Sequence, residues 1–155
     1  MKEKTLQVKS LEQTIEISQK MGENLRGGEC IEFKSDLGGG KTTFTTGLVA
    51  GLGSTDQVSS PTFTISNQYD AGDITIHHYD FYRVQDDPGL VRAELDEDTH
   101  DGKSVVIVEW AESVEDVLPE QRIVITIQSG ENEADREFTF YYPESLDYVF
   151  EGIEL

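Results

Sequence analysis

The run Ser35-Asp36-Leu37-Gly38-Gly39-Gly40-Lys41-Thr42 combines small residues, a lysine and a hydroxyl at the spacing of a phosphate-binding P-loop. Small residues let successive backbone N–H groups turn inward and cradle phosphate oxygens. A helix starting at Lys41 adds its unpaired N–H groups and the positive end of its dipole. Lys41 would then set a point charge on the β- and γ-phosphates, and the Thr42 hydroxyl would bind Mg²⁺. Asp36, Gly38, Gly39 and Gly40 shape the cradle. Thr43 reads as a helix-surface residue or a neighbour of the site rather than a ligand. One departure stands out: the standard pattern opens with glycine, and here that position is Ser35. If the backbone there needs φ > 0, serine costs about 1 kcal/mol or more.

Such a loop also needs an acid for the metal and a group to orient water. Two acids stand at the ends of apolar strands: Asp80 after Ile74–Tyr79, and Glu109 after Val105–Val108. Sequence spacing does not choose between them. Trp110, the single tryptophan, follows Glu109 and reads equally as core packing or as a partner-facing ring. His77 and His78 make a poor metal pair, because adjacent strand residues point to opposite faces. The hydroxyl-rich stretch Ser59-Ser60-Pro61-Thr62-Phe63 reads either as a switch segment sensing a γ-phosphate or as a plain proline turn.

The elements that must position these groups are legible in outline. Leu6–Val8 reads as a short strand. Ser10 and Gln13 have capping-box spacing ahead of a helix whose apolar face runs through Leu11, Ile15, Met21 and Leu25, closed by Gly27-Gly28. Cys30–Phe33 is a short apolar strand into the glycine loop. Lys41–Leu52 is a helix with Phe44, Leu48 and Leu52 on one stripe. Strand alternation begins at Phe63, a hairpin loop falls at Asp70–Asp73, and a second strand runs from Ile74. Gln85–Gly102 is polar, with weak helical character from Gly89 to Leu95. Val105–Val108 reads as a strand buried on both faces. Glu112–Leu118 is a short helix ended by Pro119; Arg122–Gln128 and Phe138–Tyr142 are strands; the last dozen residues are ambiguous. The predicted fold is α/β, a P-loop NTPase-like mixed sheet with a parallel core and antiparallel hairpin additions, flanked by helices.

At 155 residues the chain predicts a single domain over 1–155. No apolar run approaches the ~18–20 residues of a membrane span, and the N-terminus lacks an apolar leader, so a cytoplasmic location is expected. Cys30 has no partner cysteine and sits among apolar neighbours, as a reduced core thiol would. Net charge is −19. Residues 1–77 carry 10 acids and 7 bases, whereas residues 78–155 carry 21 acids and 5 bases. That balance disfavours strong direct nucleic-acid binding by the chain alone, and anionic membranes equally. It suits a solvated acidic surface, part of which (Glu94, Asp96, Glu97, Asp98) is a candidate docking face.

Taken in order, Asp36-Leu37-Gly38-Gly39-Gly40-Lys41-Thr42-Thr43-Phe44, Ser60-Pro61-Thr62-Phe63, His78-Tyr79-Asp80-Phe81-Tyr82-Arg83, Glu109-Trp110 and Leu118-Pro119 resemble the TsaE (YjeE) family. These are small P-loop ATPases of the bacterial machinery that makes threonylcarbamoyladenosine in tRNA. The resemblance runs from about residue 6 to residue 142. It implies ATP or ADP and Mg²⁺ as ligands. It implies that Lys41 and Thr42 hold phosphate and metal, that Asp80 is the metal-coordinating acid, that Thr62 lies in the switch segment, and that Glu109 and Trp110 are needed for function, with Glu109 positioning water or metal. It also implies TsaD-like and TsaB-like partner subunits, a transferase complex that ATP hydrolysis resets, and weak activity alone. The last fits the lack of an obvious arginine finger among Arg83, Arg92, Arg122 and Arg136. Ser35, Gly39 and residues 84–104 depart from the family pattern. Three other functions compete. A small-molecule kinase is disfavoured by the seven acids and single base of Gln85–Gly102, the wrong sign for a phosphate-clamping lid. A non-hydrolysing nucleotide-gated module would share every binding residue. A GTPase is disfavoured because no Asn/Thr-Lys-x-Asp signature occurs.

Overall fold

The structure is a computed structural model and describes residues 1–35, 40–59, 65–84 and 89–154. Seven strands form one sheet: β1 (Lys2–Val8), β2 (Cys30–Lys34), β3 (Ser66–Ala71), β4 (Ile74–Asp80), β5 (Ser104–Glu109), β6 (Ile123–Ser129) and β7 (Arg136–Tyr142). Their spatial order is β1-β7-β6-β2-β5-β4-β3. The four central strands, β6, β2, β5 and β4, run parallel. Antiparallel pairs close both ends, β6–β7–β1 on one side and β4–β3 on the other. The mixed sheet expected from the sequence is therefore present, with its parallel core and antiparallel margins.

Helices cover both faces. Against one face lie α1 (Leu11–Asn24) and α2 (Lys41–Gly51). Their core includes Met21, Phe44 and Leu48 together with Ile31, Phe33, Ile76, Val105 and Ile107 of the sheet. Against the other face lies α3 (Leu90–His100), where Leu95 packs with Cys30, Tyr79, Val106 and Val108. Every residue of β5 is buried, and its apolar side chains alternate between the two cores. That is the structure behind its continuous apolar run.

Local signals explain most boundaries. Ser10 caps α1 through a 3.1 Å bond from the Gln13 N–H, while Gln13 Oε1 accepts the Lys9 N–H at 2.6 Å. β1 begins at Lys2 rather than Leu6 because its polar first half is an edge whose backbone pairs with β7, register Lys2 to Tyr142, without needing an apolar pattern. α3 runs on past Leu95 to His100. The helix expected over Glu112–Leu118 is instead two 3₁₀ turns, Ala111–Ser113 and Glu115–Val117, interrupted at Val114 with φ −129°. So short a segment ahead of Pro119 closes i+3 bonds more readily than a full α turn. The ambiguous C-terminal stretch forms a 3₁₀ segment, Glu144–Phe150, burying Leu146, Val149 and Phe150. The strand expected from Phe63 starts at Ser66; Phe63 itself lies outside the described residues.

Candidate functional site

The parallel core delivers its chemistry to the C-terminal ends of its strands, where ligands of open α/β sheets bind. β2 ends at Lys34, and the chain re-emerges at Gly40, the N-cap of α2, with φ 103°. The N-cap glycine has no side chain with which to cap this helix end. The first N–H groups of a helix have no intrahelical acceptor, so they and the positive end of the helix dipole point outward at Gly40. Ser35 carries no left-handed strain: Trp110, at φ 56°, is the one non-glycine residue with positive φ among those described. The cost attached to Ser35 from sequence does not arise.

Strand periodicity assembles the acids. On β4, Ile76, His78 and Asp80 share one face; on β5, Val105, Ile107 and Glu109 do. The register pairs Asp80 with Glu109 at the ends of neighbouring strands and sets His78 beside Ile107, diagonal to Glu109. Both acids thus lie on the α2 face. The tie between Asp80 and Glu109 dissolves because the two are neighbours at the same strand ends.

Lys41 is 7% exposed. Its Nζ lies 3.5 Å from Glu109 Oε1, donates to the Ser35 carbonyl at 3.3 Å, and sits 4.7 Å from the centre of the Trp110 ring. The Trp110 ring also meets Tyr82, centroids 4.9 Å apart. A non-glycine residue held at positive φ beside such a lysine marks backbone strain where the site is assembled. Glu109 is buried, and His78 stands against its second oxygen, Oε2. Burial alone would raise the Glu109 pKa, but the His78 hydrogen bond and the charges of His78 and Lys41 leave it below the ordinary glutamate value. Asp80 moves the other way. Burial, helped by the Glu109 charge, raises it against the Tyr82 N–H at 2.9 Å and against Lys41.

Thr42 is exposed in the first turn of α2, and its carbonyl accepts the Thr46 hydroxyl at 2.8 Å. Thr43 is half-buried one residue on. Asp36, Gly38, Gly39 and Thr62 lie outside the described residues. Two carboxylates and an exposed threonine hydroxyl are hard oxygen donors of the kind Mg²⁺ takes. A cleft of about 520 Å³ opens beside the loop, lined by Ser35, Trp110, Glu112, Glu115 and Thr126 among others. That is within the size range of small-molecule sites.

Two residues were not picked out as part of the site from sequence. His78 was weighed only as a metal ligand beside His77, yet its parity with Asp80 on an alternating strand was signal enough to place it. Arg136 was one arginine of four. Its Nε lies 3.4 Å from where a Cβ on Gly40 would stand, and its Nη1 donates to the carbonyls of Glu133 and Asp135. Arg92 and Arg122 are committed away from the loop, to Asp116 and to Glu32. Asp98, placed among the docking acids from sequence, accepts the Tyr79 hydroxyl at 2.5 Å and pairs with His77 at 3.3 Å, so it ties α3 to the sheet.

A model of the family described as Threonylcarbamoyl adenosine biosynthesis protein TsaE matches residues 8–138. The tRNA threonylcarbamoyladenosine biosynthesis protein TsaE of Bacillus subtilis is 45% identical over 114 residues, covering 73% of this chain and 69% of that protein. Its counterpart in Haemophilus influenzae is 35% identical over 97 residues, covering 63% and 61%. The crystal structure of Bacillus subtilis YdiB superposes with a TM-score of 0.76 at 32% identity, covering 97% of this chain and 93% of that one. A family match over most of its length, joined to relatives of this identity and a shared fold, means that the chain belongs to the TsaE family.

Proposed function

We propose that this protein binds ATP or ADP with Mg²⁺ at the loop before α2, hydrolyses ATP slowly, and acts as an accessory subunit in the synthesis of threonylcarbamoyladenosine in tRNA. The observation that carries the reading is the convergence of Lys41, Glu109, Asp80 and Trp110 at the N-terminus of α2. The names of the relatives support the pathway. TsaD-like and TsaB-like subunits are the proposed partners, and the cytoplasm the proposed location. No described helix is long and apolar enough to cross a membrane.

Chemistry at the site follows from charge. Lys41 leaves its pairing with Glu109 for the phosphate oxygens, because a multiply charged phosphate outcompetes one carboxylate. Backbone N–H groups from Gly40 onward orient the phosphates. Thr42 and Asp80 would hold Mg²⁺, with Glu109 a further candidate; the ion, when bound, neutralises charge that develops on the transferring phosphoryl oxygens. Glu109, relieved of Lys41, has Oε1 available to orient a water for attack. Its lowered pKa keeps it an acceptor at neutral pH.

Calorimetric titration with ADP and Mg²⁺ tests the binding step. Lys41→Ala should weaken affinity roughly 10- to 100-fold, about 1.4–2.7 kcal/mol; equal binding by this variant overturns the site. Product analysis tests the reaction. Free phosphate as the sole product supports hydrolysis, whereas a phosphorylated acceptor identifies a kinase.

A further inference from the structure

His78 lies wholly inside the protein, with no exposed surface. One ring nitrogen, Nε2, faces Glu109 Oε2. The other, Nδ1, has no hydrogen-bond partner among the described residues. A carboxylate only accepts, so the nitrogen facing it must carry a proton, and the unmatched Nδ1 is left as a buried polar atom. Burying a polar atom without a partner opposes folding. An apolar residue at this strand position would avoid that penalty, so packing alone does not account for a histidine here. The flanking face residues Ile76 and Ile107 show what the surroundings otherwise accept.

The two oxygens of Glu109 are divided. Oε1 faces Lys41 and Oε2 faces His78. These partners differ in permanence. Lys41 opens α2 on a long flexible side chain beside the proposed phosphate site, and it is the partner a phosphate would draw away. His78 is fixed in the centre of a strand, paired with β5 on one side and β3 on the other. Its ring also leans on Tyr69, 6.4 Å between centroids, and the Tyr69 hydroxyl donates to the Ser59 carbonyl at 3.0 Å.

We infer that His78 is a positioning residue: it anchors Glu109 through Oε2, so that when Lys41 turns to phosphate the carboxylate neither swings away nor collapses onto Asp80, and Oε1 stays aimed at the attacking water. This rests on the reading of Glu109 as the water-orienting group. His78 itself need touch neither nucleotide nor water.

The test compares His78→Leu with His78→Gln, whose amide nitrogen reaches nearly the position of Nε2 and can donate to Glu109. Single-turnover phosphate release from Mg-ATP is measured for each, with ADP affinity by calorimetry and thermal melting alongside. The expected result is a tenfold or greater fall in turnover for His78→Leu, ADP affinity within about twofold of the parent protein, and recovery of most turnover in His78→Gln. A merely structural role would move affinity and melting together with turnover and would not single out the donor. If His78→Leu does not fold, His78→Asn takes its place, because its amide is one methylene too short to reach Glu109. Unchanged turnover in the variant lacking the donor, or equal loss in His78→Gln, overturns the inference. Glu109→Gln separates the two levels. If it keeps full turnover, or if the parent protein releases no phosphate, the reading of Glu109 falls and takes the role of His78 with it. If Glu109→Gln is inactive and His78→Leu is not, only the anchor is refuted.

Discussion

Gly40 is where a single atom decides most. Its φ of 103° is open to glycine and strained for any L side chain, and a Cβ there would stand 3.4 Å from Arg136 Nε. Gly53 supplies the control, since it has a φ of 92° with nothing within 4 Å. Gly40→Ala and Gly53→Ala should therefore lose similar stability from backbone strain, roughly 1–2 kcal/mol each. Only Gly40→Ala should also weaken ADP binding, because its methyl crowds the helix end that receives phosphate. Calorimetry and urea melts on both variants check this, and equal ADP affinity in the two would remove Gly40 from the site. The same distinction explains what the residues disclosed in advance. Lys41 and its loop were legible because their spacing is itself the chemistry. Asp80 and Glu109 were visible as strand-end acids but unranked, since their meeting depends on the register between β4 and β5, which no local pattern states. The contact of His78 with Glu109 and the approach of Arg136 to Gly40 depend likewise on residues far apart in the chain. The strained backbone of Trp110 was hidden too, since a positive φ on tryptophan has no sequence signature.

At the scale of elements, the position of Lys41 depends on how α2 sits on α1. The two helices touch backbone to backbone. A Cβ on Gly51 would stand 2.1 Å from the Gln19 carbonyl oxygen, and one on Gly22 would stand 2.3 Å from that of Leu48. A carbonyl cannot rotate aside as a side chain can, so Gly51→Ala must push the helices apart. The expected cost is about 1–3 kcal/mol, a fall of roughly 2–4 °C in melting temperature for each kcal/mol. Because Lys41 opens α2, nucleotide affinity should fall too; Gly72→Ala, in the open β3–β4 turn, should leave affinity unchanged. Binding curves for the two variants decide whether helix spacing sets the position of the loop. The sequence marked both helices through capping and apolar stripes, and marked β5 through its continuous apolar run. It did not disclose the close approach, because Gly22, Gly47 and Gly51 read as weak points in a helix until the facing helix is known. Edge strand β1 was read short for a related reason: Lys2–Thr5 is polar, and its place in the sheet comes from backbone pairing with β7.

For the whole molecule, charge and burial act together on pH dependence. The net charge of −19 makes the folded state repel itself, and every proton lost deepens this. Burial works in the same direction. It raises the Cys30 thiol from its ordinary 9.0 to about 12. Burial also raises the Tyr79 and Tyr148 phenols, helped by hydrogen bonds to Asp98 and Glu29. Such groups keep their protons when folded and release them when unfolded once pH passes their ordinary values. The unfolded chain then binds fewer protons than the native one, and stability falls with rising pH. The decline should begin near pH 9 with the thiol, continue through about pH 10 as the phenols join, and be followed to about pH 12. Salt separates the two causes. Raising ionic strength from ~0.02 M to ~0.5 M screens surface repulsion and should stabilise the protein at pH 7.5, but it should leave the part owed to buried groups, which screening barely reaches. Urea unfolding at about pH 7.5 and 10.5, at both ionic strengths, gives the four values needed. Cys30→Ala should flatten the decline between pH 9 and 10.5 at high salt, because the neutral methyl removes the proton difference. A parent protein equally stable at both pH values in high salt would show that these buried groups do not govern its alkaline limit. A stability indifferent to salt at pH 7.5 would show that the acidic half is already compensated within the fold.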